Sequence, residues 1–325
     1  MRDAVGAADR LRETVTPAVD AALEIASAPP GAVFVGWAAA VDAATCPARY
    51  RAQGEDGWGF PGWSPATAAG AVARSALDAH LEVTDADQAG QPVPAPAPVE
   101  TVRRWMRATG TLDARGVGAW VGELRAAGDT ATLAAVAAAA SRWLGGFVRV
   151  VGWPLPQGMA LLNVTREGPT GTAPRWWPRQ GSPVCVASGA DARIGRVTGA
   201  GGHTLVVHRA SSGDDDDLRR RAGFEAAAGA LALRVAPAAV TITAGDTGER
   251  ARIVVDEGLL AAGGEMIVDV VRQRVVAVER GHDAADARPS RRCRWCEVRA
   301  DCAPGQAWVA GPGRWRGGLP AIGGG

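Results

Sequence analysis

The stretch Cys293-Arg294-Trp295-Cys296-Glu297-Val298-Arg299-Ala300-Asp301-Cys302 places three thiols within ten residues, in the spacing C-x2-C-x5-C. A C-x2-C pair lets a tight turn point two sulfurs at one ion, and the third closes from the next turn. A four-thiolate site needs one more ligand. The five cysteines of the chain leave Cys46 and Cys185 for that place. Cys46 opens Cys46-Pro47-Ala48-Arg49-Tyr50-Arg51, a helical run followed by basic residues. Cys185 sits in the apolar strand run Pro183-Val184-Cys185-Val186-Ala187, where a buried free thiol is ordinary. The expected ligand set is therefore Cys46, Cys293, Cys296 and Cys302. Zinc and a 4Fe–4S cluster both suit four thiolates, and spacing alone does not choose between them.

Working outward, 325 residues suffice for one large domain or two small ones. Hydrophobic residues make up 47%, but much of that is alanine, so the core must rest on Val, Leu, Ile and the twelve Trp. A net charge of +1 names no partner. There is no lysine: all 35 Lys or Arg side chains are arginine. Coding DNA rich in G and C accounts for that, and it excludes any chemistry that needs a lysine amine. No run of about 18 apolar residues is present, the longest bland run being Leu133 to Ala140, so no membrane-spanning helix and no membrane partner are expected. The N-terminus lacks a basic, apolar, small-residue signal sequence. A cytoplasmic location is expected, and five cysteines there do not suggest a disulfide framework.

Periodicity predicts helices over residues 1–28, 36–53 (carrying Cys46 and Tyr50), 66–82, 99–109, 117–144, 218–235 and 259–271. Short β-type runs fall at 147–151, 160–164, 184–187, 193–197, 204–208, 240–243, 251–255 and 274–278. A Gly/Pro/Trp-rich loop covers 54–65 and a Pro/Ala/Gln linker 88–98. Residues 213–217 read as an acidic, solvated loop. The tail from Ala303 reads as irregular, with 323–325 disordered. This order gives an α/β protein.

The cysteine layout resembles the iron–sulfur branch of the PD-(D/E)XK nuclease superfamily, the RecB-type and CRISPR-adaptation exonucleases. In that family an early Cys-Pro-x-x-Phe/Tyr motif joins three C-terminal cysteines around a 4Fe–4S cluster, and Cys46-Pro47-Ala48-Arg49-Tyr50 matches it. The resemblance spans residues 36 to 304. It implies a single restriction-endonuclease-like domain over 1–325, with a mixed sheet flanked by helices. Residues 36–146 would be its mostly helical part, 147–280 the sheet-containing core, 288–304 the cluster-binding segment and 305–325 an irregular tail.

The catalytic motifs of the family are degenerate here. Its Gly-x-x-x-His helix corresponds to Gly70 through Arg74, with Arg74 at the histidine position. Its Gly-x-x-Asp motif is nearest to Ser188-Gly189-Ala190-Asp191, one residue short, making Asp191 the metal ligand; a second register would put Gly195 there. Its Asp/Glu-x-Lys falls on His208-Arg209-Ala210, so His208 stands for the acid and Ala210 for the lysine. Its Gln-x-x-x-Tyr helix corresponds to Glu225 through Gly229, without the tyrosine. Two-metal phosphodiester hydrolysis needs paired carboxylates, and arginine does not take the place of lysine in handling protons. The resemblance thus implies ancestry without the activity.

Arg and Trp adjoin repeatedly, as at Arg104-Trp105, Arg175-Trp176-Trp177, Arg294-Trp295 and Arg314-Trp315-Arg316. Such pairs suit stacking on bases and contact with phosphates, or packing in a core. Arg175, Trp176, Arg179, Arg314 and Arg316 are the candidate nucleic-acid contacts. The expected function is a catalytically inactive, DNA-binding or complex-forming nuclease-like protein of DNA repair, recombination or defence, with DNA and a helicase or repair complex as partners. An active exonuclease using Asp191, relocated ligands and Mg²⁺ or Mn²⁺ is one alternative. A zinc-stapled protein-interaction module is the other.

Overall fold

A computed structural model describes residues 2–26, 32–52, 65–87, 94–108, 116–153, 155, 159–162, 175–196, 203–209, 214–244, 250–280, 287–289, 293, 296 and 299–311. Arg314, Arg316, Ala210, Trp295 and the final glycines lie outside them. In chain order the elements are α1 (Arg2–Glu24), β1 (Val33–Val35), α2 (Trp37–Thr45), α3 (Pro47–Ala52), α4 (Pro65–Asp87), α5 (Pro98–Ala108), α6 (Val117–Ala126), α7 (Thr130–Val151), β2 (Met159–Leu162), β3 (Arg175–Trp176), β4 (Val184–Ala187), β5 (Ala192–Arg196), β6 (Thr204–Arg209), α8 (Asp215–Leu233), β7 (Ala239–Ala244), β8 (Arg250–Val254), α9 (Glu257–Arg280) and α10 (Ala303–Ala310). The protein is mixed α/β. It divides into two compact units, one of residues 1–15, 60–177 and 186–265, the other of 16–59, 178–185 and 266–325.

The first unit holds a five-stranded sheet in the order β2-β5-β6-β7-β8. Strands β2, β5 and β6 are successively antiparallel. Strand β7 pairs parallel to β6, from Thr204↔Ala239 to Arg209↔Ala244, and β8 returns antiparallel. The parallel step needs a long crossover, which α8 supplies. Alternation along β6 sets its two faces. On one face Val206 joins the buried cluster of α4 to α7, with Val72, Leu77, Val136, Leu144 and Phe147. On the other, a Cβ on Gly229 of α8 would lie 3.0 Å from Leu205. Helices thus cover both sheet faces.

Glycines fix how the helices of this unit cross. A Cβ on Gly263 of α9 would sit 2.1 Å from the Gly223 carbonyl oxygen of α8, so only glycine fits there. A Cβ on Gly264 would meet Val15 and Leu11 of α1 at 2.9 and 3.0 Å. Arg12 donates to the Leu231 carbonyl, satisfying a free acceptor near the end of α8.

In the second unit β1 meets the start of β4, where the Val33 N–H donates to the Pro183 carbonyl at 2.8 Å. The end of β4 lies in the first unit and pairs antiparallel with β3 (Arg175↔Ala187, Trp176↔Val186). The run Pro183 to Ala187 reads as a strand in the sequence, whereas β1 and β3 are too short to carry a pattern.

Six expectations are corrected. The single helix predicted over 117–144 is two, α6 and α7, divided at left-handed Gly128 and restarted by the Asp129 cap. Residues 147–151 are the end of α7, not a strand: Leu144, Phe147 and Val151 continue the buried helical stripe of Val136 and Ala140, and left-handed Gly152 stops it. Residues 274–278 stay in α9, because Val270, Val271 and Val275 keep one buried face. The predicted helix 36–53 breaks at Cys46, since Pro47 disfavours helical geometry just before it. The acidic run is not a loop: Asp214 caps α8, accepting from the Asp217 N–H at 2.8 Å, and Asp215 to Asp217 fill its first turn, where the helix dipole favours them. The tail begins with a helix, α10, capped by Cys302.

By length and composition α7 is long and apolar enough to cross a membrane, beyond what the Leu133–Ala140 run suggests. Its residues Val136, Ala140, Leu144 and Phe147 are fully buried in the core of the first unit.

Candidate functional site

Arg74, Asp191, His208 and Glu225, the described residues at the expected motif positions, all lie in the first unit, and three of them meet at one point. Asp191 sits in the turn just before β5, held by its N–H donating to the Val206 carbonyl at 2.8 Å. Its side chain is 2% exposed. Arg74 of α4 donates to Oδ1 at 2.8 Å, and the His208 backbone N–H donates to Oδ2 at 2.6 Å. Both carboxylate oxygens are engaged, one of them by a permanent cation. Arg74 also lies over the Trp143 ring, its guanidinium carbon 5.7 Å from the centroid, which fixes the side chain that holds Asp191.

His208 points from β6 into the helical layer. Its Nδ1 is 2.6 Å from the Thr243 hydroxyl on neighbouring β7, and Trp143 meets the ring edge-on at 4.7 Å between centroids. Nε2 is buried without a hydrogen-bond partner. It lies against Gly146, where a Cβ would come within 3.1 Å of the ring, so a small residue is required there. Burial pushes the His208 pKa down; Arg74 and Arg149 add to that, and Asp191 opposes it. The imidazole is neutral near pH 7 and brings no second carboxylate.

Glu225 of α8 is fully buried and supports the Asp191 turn. Its Oε2 accepts from the Ser188 hydroxyl at 2.7 Å and from the Gly189 N–H at 2.6 Å. Arg221, one helical turn away, lies 2.7 Å from Oε1. This is a charge-assisted brace for a loop, not a ligand facing a substrate. A metal-dependent nuclease needs carboxylates aimed at divalent ions; here each carboxylate is spent on protein donors.

Sequence reasoning missed Trp143, Arg149, Ser188, Arg221 and Thr243. Arg142-Trp143 is one more of the Arg-Trp pairs, and Arg221 stands four residues before Glu225. Those two signals were available. Thr243 carries none, because only the β6–β7 register brings it to His208.

All four proposed cluster ligands belong to the second unit. Cys293 and Cys302 are buried, and Cys46 and Cys296 half-buried. Successive backbone bonds, Cys296 N–H to Cys293 O, Arg299 N–H to Cys296 O and Cys302 N–H to Arg299 O, wind the segment into turns. Cys302 caps α10, its Sγ accepting from the Gly305 N–H at 3.4 Å. A Cβ on Gly305 would lie 3.2 Å from the Cys302 sulfur and 3.7 Å from the Cys293 sulfur, so two thiols share the space above that glycine. Cys46 ends α2, and Arg288 donates to the Ala44 carbonyl at 3.1 Å, tying the C-terminal segment to that helix end. Cys185 belongs to the same unit and is half-buried in β4. The donors suit a thiolate-bound metal, and the geometry brings two of them to one glycine. Among the described residues no three His, Cys, Asp or Glu side chains gather into a metal-holding group.

The candidate nucleic-acid contacts scatter. Trp176 is 5% exposed in β3, which lies against α8; it packs in the core and offers no face to a base. Arg175 is exposed, and Arg179 pairs with Asp20 at 3.5 Å.

No protein-family model matches the chain, and no curated protein matches its sequence.

Proposed function

We propose that this protein is a catalytically silent member of the PD-(D/E)XK class, built on a restriction-endonuclease-like core, that works by binding DNA or a repair or defence complex in the cytoplasm. The observation that carries this reading is the Arg74–Asp191–His208 contact. Asp191 immediately precedes a central strand, His208 stands on the next strand, Glu225 on the following helix, and Arg74 on an earlier helix. That is the order in which the resemblance arranges its motifs. Three of the positions converge on one carboxylate, which supports common descent. An arginine sits where a divalent cation would, which supports loss of the reaction. Five free cysteines agree with a reduced compartment.

Cys46, Cys293, Cys296 and Cys302 would hold the iron–sulfur cluster, or zinc, in this reading. Its contribution is structural, a clamp between an early helix and the C-terminal segment.

The test is incubation of labelled single-stranded and duplex DNA with the cluster-loaded protein in Mg²⁺ or Mn²⁺. Both substrates should remain intact over hours. Cleavage that disappears in Asp191→Ala would overturn the proposal and establish the exonuclease alternative.

A further inference from the structure

We propose that the outer edge of strand β8 is a docking site for an acidic, extended segment of a partner protein, which adds to the five-stranded sheet as one more strand. The inference extends the complex-forming side of the reading above by naming a surface and the chemistry of what it takes. It uses none of the Asp191 contact.

In the order β2-β5-β6-β7-β8, strand β8 is outermost, and among the described residues only β7 pairs with it. An edge strand keeps a row of backbone donors and acceptors that its own sheet does not use. Strand β7 is buried along its whole length, whereas β8 alternates exposed and half-buried residues. The register sets Arg250 beside Thr243, Arg252 beside Thr241 and Val254 beside Ala239, so these three β8 side chains stand on one face. All three are exposed, Val254 by 63%. Neither arginine has a hydrogen bond or an ion pair among the described residues.

Charge decides the occupant. Two unpaired arginines at alternate positions match a strand with Asp or Glu at alternate positions, because directly opposite side chains on one face lie close enough to interact. Ala251 and Ile253, half-buried on the other face, match apolar residues between those acids. A second copy of this chain fits badly. Two-fold antiparallel pairing centred on Ala251 sets Arg250 against Arg252, and pairing centred on Arg252 sets that arginine against itself. The charges that blunt self-pairing therefore select an acidic strand. Nucleic acid would engage the guanidinium groups and leave the backbone edge and Val254 unused.

The probe is a capped, fluorescent peptide containing Val-Val-Glu-Val-Glu. In antiparallel register its glutamates stand opposite Arg252 and Arg250, and its first valine opposite Val254. Anisotropy against the cluster-loaded protein should show binding that weakens as salt rises. Hydrogen-exchange mass spectrometry at saturating peptide should show new protection over residues 250–254, the mark of backbone pairing. Arg250→Glu combined with Arg252→Glu, at two exposed positions, should weaken binding about tenfold or more. The peptide with lysine in place of glutamate should bind that variant and not the wild type, which also shows the variant folded. No binding at millimolar peptide, or binding without added protection at 250–254, would overturn the strand addition. A labelled oligonucleotide that displaces the peptide and is lost in the double variant would give the edge to nucleic acid. A wild-type dimer that the double variant dissolves, seen by sedimentation velocity, would give it to a second copy. Either sinks the proposal and leaves the silent-nuclease reading standing while DNA stays uncut. Metal-dependent cutting would sink that reading and leave the edge untouched.

Discussion

At the scale of single residues the account turns on Asp191. A buried carboxylate is tolerated only when its oxygens are satisfied, and here Arg74 and the His208 amide do so. Arg74→Ala removes the charge partner and keeps the amide. Because Arg74 is half-exposed, the loss should be moderate, about 1–3 kcal/mol in urea denaturation. Asp191→Asn with Arg74→Ala should cost less than the sum of the two single changes, since each alone strands the other's partner. Additive losses would mean the pair does not hold the turn. The sequence made Arg74, Asp191, His208 and Glu225 nameable, because each stands at a motif position. It did not reveal that Arg74 and Asp191 touch, which depends on packing between a helix and a loop 117 residues apart.

Among elements, the α8–α9 crossing is the tightest contact named above. Gly263→Ala would drive a methyl carbon to 2.1 Å from the Gly223 carbonyl. Helix propensity favours the alanine by about 1 kcal/mol, but backbone on both sides must move. The net effect should be a loss of about 3 kcal/mol or more, visible as a large drop in Tm. An unchanged or higher Tm would refute the close crossing. Helices and strands with a clean period were legible: α1, β4 and β6 fall where their patterns put them, and α8 does so beyond its first turn. Two of the failures share a cause. Valine-rich stretches at 147–151 and 274–278 have β propensity, yet each lies at the end of a longer helical stripe whose burial outweighs it. The aspartate run failed the opposite way: polar residues that suit a loop also suit a helix start. Trp176 carried no sequence sign of whether it faces base or core; burial alone decided it.

Across the whole molecule, the proposed cluster would link distant parts of one chain. Cys46, Cys293, Cys296 and Cys302 all fall in the second unit, although they are far apart in sequence. A clamp from residue 46 to residue 293 closes a loop of about 250 residues, worth about 5 kcal/mol in chain-entropy terms. Anaerobically purified protein should be brown, contain iron and sulfide, and melt well above the same protein stripped of its cluster. A colourless protein with one zinc ion would replace the cluster by the zinc alternative. The central claim concerns the other unit: Arg74 takes the place on Asp191 that the proposed nuclease ancestry would give to a divalent ion. Electron paramagnetic resonance counts free Mn²⁺ directly as protein is titrated in. The prediction is that wild type and Asp191→Ala leave the same free Mn²⁺, with no stoichiometric site. A site filled at one Mn²⁺ or more per chain and lost in Asp191→Ala would contradict the account.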